Sequence, residues 1–276
     1  METKGKIGVF DSGYGGLTIL RSFIDRLPQY DYIYLGDNAR APYGNKSFDL
    51  IYEYTLEGVK FLFDQGCELV VLACNTASAK ALRTIQQNDL IAMKTSKRVL
   101  GVIRPSTEEI GKLSKSGVIG ILGTEGTVQS KSYLIELEKL SPSTLAFQQA
   151  CPLWVPLIEA NAYNTDAGRL IIKADIDRLF EQNNSIDVIV LACTHYPIIK
   201  HIIEEFVPPE VIVLAQGPLV AEKLEDYLNR HTAFNQKLTR QGTILCYTTE
   251  TEGFFGQHAS DIFGEPLCAQ HIELTS

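Results

Sequence analysis

Two apolar segments of the chain end in the same three residues, Leu-Ala-Cys, and a polar pair follows each of them. The segments read CELVVLAC and IDVIVLAC, and they end at Cys74 and Cys193. A continuous apolar run of this length is typical of a strand that is buried on both faces of a parallel sheet. Both cysteines are therefore expected at the carboxyl end of a buried strand, immediately before a helix.

The same alternation of short apolar runs and amphipathic segments continues along most of the chain. It predicts an α/β fold, in which mainly parallel sheets are flanked by helices. We expect two similar lobes with the active site in the cleft between them. The first lobe is predicted to comprise residues 1–99 and 210–276, including the run EVIVLAQ. The second is predicted to comprise residues 100–209, and the run RVLGVI is counted among its strands.

Composition argues against several classes of protein. The formal net charge is −8 and the basic residues form no long run, so a nucleic-acid partner is not expected. No apolar run reaches the roughly 18–20 residues that a membrane helix needs. The N-terminus carries no apolar signal segment, so we expect a cytoplasmic protein. The six cysteines include no Cys-x-x-Cys pair, which favours free thiols over disulfides or a structural zinc site.

The two strand-ending cysteines are the main candidates for chemistry. Ligands of open parallel sheets bind at the carboxyl ends of strands, so two facing lobes would place Cys74 and Cys193 across one cleft. We expect the start of a helix to lower the pKa of each thiol, with help from His195 and from Asp11. Two such thiols suit the inversion of a stereocentre, because one removes a proton from carbon while the other donates a proton to the opposite face.

A carbanion formed next to a carboxylate needs hydrogen-bond donors around that carboxylate. The side-chain candidates are Ser12, Asn75, Thr76 and Thr194. The Gly-rich turn DSGYGG, residues 11–16, has neither the spacing of a P-loop nor that of a dinucleotide fingerprint, so its N–H groups are expected to hold a carboxylate. In the loop DNARAPYGN, residues 37–45, Tyr43 and Gly44 are expected to close over a small ligand.

Four motifs in this order, GVFDSGYGGLT, DNARAPYG, LACNTAS and LACTHYP, closely resemble those of the glutamate racemases. This family is part of the cofactor-independent aspartate/glutamate racemase superfamily, and the resemblance covers nearly the whole chain. It implies interconversion of L- and D-glutamate without pyridoxal phosphate or a metal. It also implies that the D-isomer enters peptidoglycan and that the protein is a homodimer.

The resemblance also implies roles for individual residues. Cys74 and Cys193 match the two catalytic acid/base groups, with Cys74 deprotonating the D-isomer and Cys193 the L-isomer. Asp11, Glu159 and His195 match residues that assist them. The positions that match substrate contacts are Asp11, Ser12, Tyr43, Gly44, Asn75, Thr76, Thr124, Thr127, Thr194 and His195.

Two places depart from the pattern of that family. Ser106 follows a proline where glycine is usual, and Ala215-Gln216 stands where an aspartate and a small residue are usual. Neither lies in a cysteine motif, but the second falls where a helix cap or the hinge between the lobes is expected.

Three alternatives remain open on the residues alone. They are a racemase of a related amino acid such as aspartate, a two-lobed amino-acid-binding protein without catalysis, and a Cys–His hydrolase. The binding protein gives no reason for paired thiols. The hydrolase needs one nucleophile and one base, and it leaves the second cysteine unexplained.

Overall fold

A computed structural model describes residues 4–274 of the chain, and within them the strands form two parallel sheets. The strand order is β10-β9-β2-β1-β3-β4 in the first sheet and β6-β5-β7-β8 in the second. The strands are β1 (Lys6–Asp11), β2 (Tyr32–Gly36), β3 (Cys67–Leu72), β4 (Arg98–Gly101), β5 (Val118–Gly123), β6 (Leu145–Ala150), β7 (Val188–Ala192), β8 (Ile212–Ala215), β9 (Ile244–Thr248) and β10 (Gln270–His271).

Helices separate nearly all of these strands, as the alternation in the sequence predicts. The α-helices are α1 (Leu17–Arg26), α2 (Phe48–Asp64), α3 (Asn75–Lys80), α4 (Leu82–Thr84), α5 (Leu90–Ala92), α6 (Ile103–Leu113), α7 (Glu125–Ser130), α8 (Ser132–Leu140), α9 (Trp154–Glu159), α10 (Asp166–Gln182), α11 (Lys200–Phe206), α12 (Gln216–Arg230), α13 (Thr232–Asn235) and α14 (Glu252–Phe263). Short 3₁₀ turns occur at Asn38–Arg40 and Tyr196–Ile199, and a π-helical turn at Ile85–Asp89. In the described part of the chain no helix is both long and apolar enough to cross a membrane.

Both faces of the central strands β3 and β7 are buried, which explains their continuous apolar runs. In β3, Val71 packs into one hydrophobic cluster and Val70 into another, because successive side chains of a strand point to opposite faces. In β7, Leu191 and Val190 are divided in the same way between two further clusters. The predicted fold class, α/β with helix-flanked parallel sheets in two similar halves, is confirmed.

Two strands lie in the opposite sheet from the one predicted. The strand Arg98–Gly101 pairs with β3, so it belongs to the first sheet. The strand Ile212–Ala215 pairs with β7, so it belongs to the second sheet. The alternation of strands and helices predicts where each strand lies but not which strand it pairs with. The assignment of these two strands to a lobe from their order in the sequence was therefore wrong. The chain returns to the first sheet through α12, which packs on α1 as well as on α6.

Candidate active site

The carboxyl ends of β1, β3, β5 and β7 meet between the two sheets and bring the predicted residues together. Ser12 Oγ lies 3.4 Å from Cys74 Sγ. Across the gap, the Thr194 hydroxyl donates to Asp11 Oδ1 at 3.2 Å. Ser12 follows Asp11 and Thr194 follows Cys193, so these two contacts bring the strand ends that carry the two thiols to one site.

Asp11 is completely buried beside Cys74, because β1 and β3 are neighbours in the first sheet. Its Oδ2 accepts a hydrogen bond from the Gly13 N–H at 3.1 Å. Burial raises the pKa of this carboxyl from 3.8 to about 6, although the positive charge of His195 and the N–H of Gly16 act in the opposite direction. The site therefore holds a carboxyl group that titrates near neutral pH.

The Gly-rich turn lets the backbone approach these groups closely. A Cβ on Gly16 would lie 2.4 Å from the Cβ of Asp11. A Cβ on Gly15 would lie 2.4 Å from Thr194 Oγ1 and 2.5 Å from His195 Nδ1. The turn thus needs glycine because these three side chains of the site occupy the space that a side chain there would fill.

Cys74 caps the N-terminus of α3, and its Sγ accepts from the Ala77 N–H at 3.5 Å. The expectation that this position lowers the pKa of the thiol is wrong. Burial raises the pKa of Cys74 from 9.0 to about 12, and the charge of Asp11 raises it further, against the hydrogen bonds from Ser12 and Ala77. One N–H at the start of a six-residue helix does not compensate for loss of solvent and a neighbouring acid.

Cys193 lies in a different electrostatic environment. The ring of His195 is buried, and its Nε2 lies 3.0 Å from Oε1 of Glu159, the last residue of α9. Burial alone would lower the pKa of His195, but its contacts with Cys193 and Glu159 outweigh burial and raise the pKa from 6.5 to about 10. One thiol therefore lies beside an acid and the other beside an imidazolium ion.

Three threonines connect the two sheets at the front of the site. Thr76 Oγ1 lies 2.9 Å from Thr124 Oγ1 and 3.4 Å from Thr127 Oγ1. Thr124 also caps α7 by accepting from the Thr127 N–H at 3.3 Å. Beside them, the Gly126 N–H donates to the carbonyl oxygen of Gly44 at 2.8 Å. The predicted loop of Tyr43 and Gly44 is thus fastened to the opposite half of the molecule.

Asp37 is a buried residue of the site region that sequence reasoning missed. It accepts from the Tyr43 hydroxyl, from Arg40 Nε at 2.8 Å and from Thr249 Oγ1 at 2.9 Å. It therefore fixes the loop that carries Tyr43. Its position immediately after β2, at the same sheet edge as Asp11, is the signal that identifies it.

Asn75 is oriented differently from the prediction that its side chain contacts a substrate. Its Nδ2 donates to Gln216 Oε1 at 2.6 Å, and its Oδ1 accepts from the Tyr133 hydroxyl at 2.7 Å. The two places where the sequence departs from the family pattern contact each other, since Gln216 Nε2 donates to Ser106 Oγ at 2.7 Å. Neither Gln216 nor Tyr133 is recognisable as a partner of Asn75 from the sequence.

A cavity of about 260 Å³ adjoins the site and is lined in part by Tyr14, Glu159 and His195. A larger cavity of about 730 Å³, lined in part by Arg83 and Arg104, contains none of the predicted site residues. Among residues 4–274, no three His, Cys, Asp or Glu side chains are grouped as a metal site requires.

Comparisons with known proteins agree with one another. The family model described as Asp/Glu/Hydantoin racemase matches residues 17–219. A glutamate racemase of Geobacter metallireducens is 38% identical over 93% of this chain and 87% of its own length. A glutamate racemase isoform of Bacillus anthracis has a TM-score of 0.89 at 30% identity, covering 98% of both chains. A glutamate racemase of Francisella tularensis, solved in complex with D-glutamate, has a TM-score of 0.84 at 30% identity, covering 99% of this chain and 98% of that one. The chain belongs to the Asp/Glu/hydantoin racemase family and, within it, to the glutamate racemases.

Proposed function

We propose that this protein interconverts L- and D-glutamate by proton transfer at the α-carbon, with Cys74 and Cys193 as the two acid/base groups. The observation that carries the proposal is the pair of buried thiols after β3 and β7, whose strand ends meet through the contacts of Ser12 with Cys74 and of Thr194 with Asp11. A thiol on each side of the α-carbon allows removal and return of the proton on opposite faces. The glutamate racemases of similar sequence and structure support glutamate as the substrate.

The charges around the thiols favour a defined starting state. The high pKa of Cys74 keeps its proton in place, and His195 carries a positive charge beside Cys193. In the direction from L to D, the thiolate of Cys193 takes the α-proton and the thiol of Cys74 delivers its own proton to the other face. The products are D-glutamate, a thiol at Cys193 and a thiolate at Cys74. In the reverse direction Cys74 takes the proton from the D-isomer.

The remaining polar groups suit an α-amino acid whose α-carbon gains negative charge. The carboxylate is held by hydroxyl and backbone N–H donors, which stabilise the carbanion. Asp11, Glu159 and His195 assist by setting the charges around the thiols. The proposed substrate contacts are Asp11, Ser12, Tyr43, Gly44, Asn75, Thr76, Thr124, Thr127, Thr194 and His195, with the backbone of Asn75 contributing in place of its side chain.

Several wider features belong to the same proposal. The reaction uses neither pyridoxal phosphate nor a metal, and D-glutamate is supplied for peptidoglycan in the cytoplasm. The protein acts as a homodimer made of two-lobed subunits. Their support is the family to which the chain belongs. Sedimentation equilibrium measures the oligomeric state directly, and a monomer at micromolar concentration contradicts the dimer.

Incubation with L-glutamate in deuterated water, without added cofactor, tests the reaction. We expect loss of optical activity together with deuterium at the α-carbon. Cys74→Ser and Cys193→Ser should each lower racemisation by about 10²–10⁴-fold, the usual effect of losing a general acid or base. Cys268→Ser, the same change at an exposed thiol, should leave the rate unchanged.

Other outcomes identify the alternatives. Turnover of aspartate but not of glutamate indicates a different racemase. Saturable binding of glutamate without deuterium incorporation indicates a binding protein. Wild-type turnover in both directions by either serine variant eliminates the two-thiol mechanism.

A further inference from the structure

A closed ring of hydrogen bonds lies directly behind Cys74. Tyr133 donates to Asn75 Oδ1 at 2.7 Å, Asn75 Nδ2 donates to Gln216 Oε1 at 2.6 Å, and Gln216 Nε2 donates back to the Tyr133 oxygen at 2.6 Å. Each of the three side chains donates one bond and accepts one within the ring. The arrangement of donors is therefore fixed, because turning over Asn75 alone would place two acceptor oxygens face to face, and turning over Gln216 alone would place two donor groups face to face.

The ring is completely enclosed by protein and has an outer support. Asn75 and Gln216 are each 2% exposed, and Tyr133 and Ser106 are fully buried. The second hydrogen of Gln216 Nε2 goes to Ser106 Oγ at 2.7 Å, and Ser106 in turn donates to the Val102 carbonyl oxygen at 2.7 Å. A fully satisfied polar network in a buried place is rigid, since breaking any bond leaves polar groups without water to replace it.

The three members of the ring come from different parts of the fold. Asn75 begins α3 and follows β3 of the first sheet, whereas Tyr133 packs among residues of β5 and β7 of the second sheet. Gln216 begins α12, the helix by which the chain returns from the second sheet to the first. The ring thus joins the two halves of the molecule at one point, and that point is one residue from Cys74.

We propose that Gln216 is a positioning residue, which acts through Asn75 to hold Cys74 in place relative to the opposite half of the molecule. This inference rests on the proposed function of Cys74 and extends it. The hydrogen bonds of the ring reach the residue after Cys74, whereas none of them reaches residues 193–195. Thr76, the next residue of α3, is held by Thr124 in the front of the site, so the ring supplies the second support of the same helical turn.

Gln216→Met tests this role, because it preserves side-chain length and removes every hydrogen bond of the amide. We expect kcat for glutamate racemisation to fall on the order of ten- to a hundred-fold, mainly without a rise in KM, as displacement of a reacting group does. The second measurement is the alkylation rate of each thiol by iodoacetamide, followed by peptide mass spectrometry. Alkylation of Cys74 should accelerate several-fold, and that of Cys193 should not change.

Two further variants make the test decisive. Tyr133→Phe opens the ring without changing Gln216, so it should reproduce both effects even if Gln216→Met does not fold. Thr55→Val removes a buried hydrogen bond to Ile51 that lies inside α2, and it should leave both alkylation rates and kcat unchanged.

Equal acceleration at both thiols, or no change at either, in the folded ring variants overturns the proposal. Wild-type protein that does not racemise glutamate refutes the proposed function instead, and the alkylation comparison still tests the ring.

Discussion

Replacing Asp11 by asparagine should stabilise the protein at alkaline pH while it impairs the reaction. Asp11 is completely buried, and burial raises its pKa from 3.8 to about 6. A raised pKa means that the folded protein binds this proton more tightly than the unfolded chain does. The free energy of unfolding that the group contributes is therefore complete below pH 4 and is lost as the pH rises through about 6.

The size of the effect follows from the two pKa values. A difference of one in pKa corresponds to about 1.4 kcal/mol, so the ionised carboxylate of Asp11 costs the folded state about 3 kcal/mol above pH 7. Asparagine avoids that cost. Asparagine also has an NH2 group in place of one carboxylate oxygen. This group cannot accept the hydrogen bond from the Gly13 N–H or from the Thr194 hydroxyl, and the loss of that bond costs about 1 kcal/mol. The net gain at pH 8 is about 2 kcal/mol.

Urea unfolding followed by circular dichroism measures this difference. At pH 8, Asp11→Asn should exceed the wild type by about 2 kcal/mol in the free energy of unfolding. At pH 4.5 the advantage should be close to zero, because the cost that Asp11 imposes on the folded state has then fallen to about 1 kcal/mol, which the lost hydrogen bond of the variant offsets. Asp64→Asn, at an exposed position, should change stability by less than about 0.5 kcal/mol at both pH values.

The racemisation rate of Asp11→Asn should fall even as its stability rises, which is the usual conflict at a site that holds a buried charge. A variant less stable than the wild type at pH 8, or a difference that does not depend on pH, refutes the reasoning from burial.

Two further changes have definite expected outcomes. Glu159→Gln removes the negative charge that helps to raise the pKa of His195, so the alkaline limb of the kcat/KM profile should move to lower pH. An unchanged alkaline limb contradicts that role. Gly58→Ala places a Cβ 2.3 Å from the ring of Phe10 in a tightly packed interior, and it should lower the free energy of unfolding by about 1–3 kcal/mol. Gly253→Ala is the matched control, because a Cβ there meets nothing within 4 Å. Thermal unfolding should show no loss of stability in this variant.

The sequence predicts the placement of the thiols because that placement depends on local pattern. An apolar run long enough for one strand, followed by a helix start, puts Cys74 and Cys193 at strand ends without knowledge of the pairing. The neighbouring position of Asp11 and Cys74 then needs only that β1 and β3 are adjacent, and they are.

Properties that depend on distant parts of the chain are not predictable in the same way. The pKa of Cys74 is set by burial, which sums contributions from many segments, and the helix start that is visible in the sequence is the weaker effect. The partners of Asn75 are 58 and 141 residues away, so no local pattern indicates them. Likewise, β4 belongs to the first sheet because it pairs with β3, and β8 belongs to the second sheet because it pairs with β7.

The unequal environments of the two thiols have a consequence for the proposed reaction. The enantiomers of glutamate have the same free energy, so the enzyme cannot favour one at equilibrium, whatever its own asymmetry. The asymmetry instead determines where the proton lies in the free enzyme. Burial and the charge of Asp11 raise the pKa of Cys74 and hold the proton there, whereas His195 places a positive charge beside Cys193. Each turnover from L to D leaves the proton on the other sulfur, so the enzyme must return it before the next one. Glu159 contacts His195 and is 31% exposed, so it connects the buried imidazole beside Cys193 with solvent.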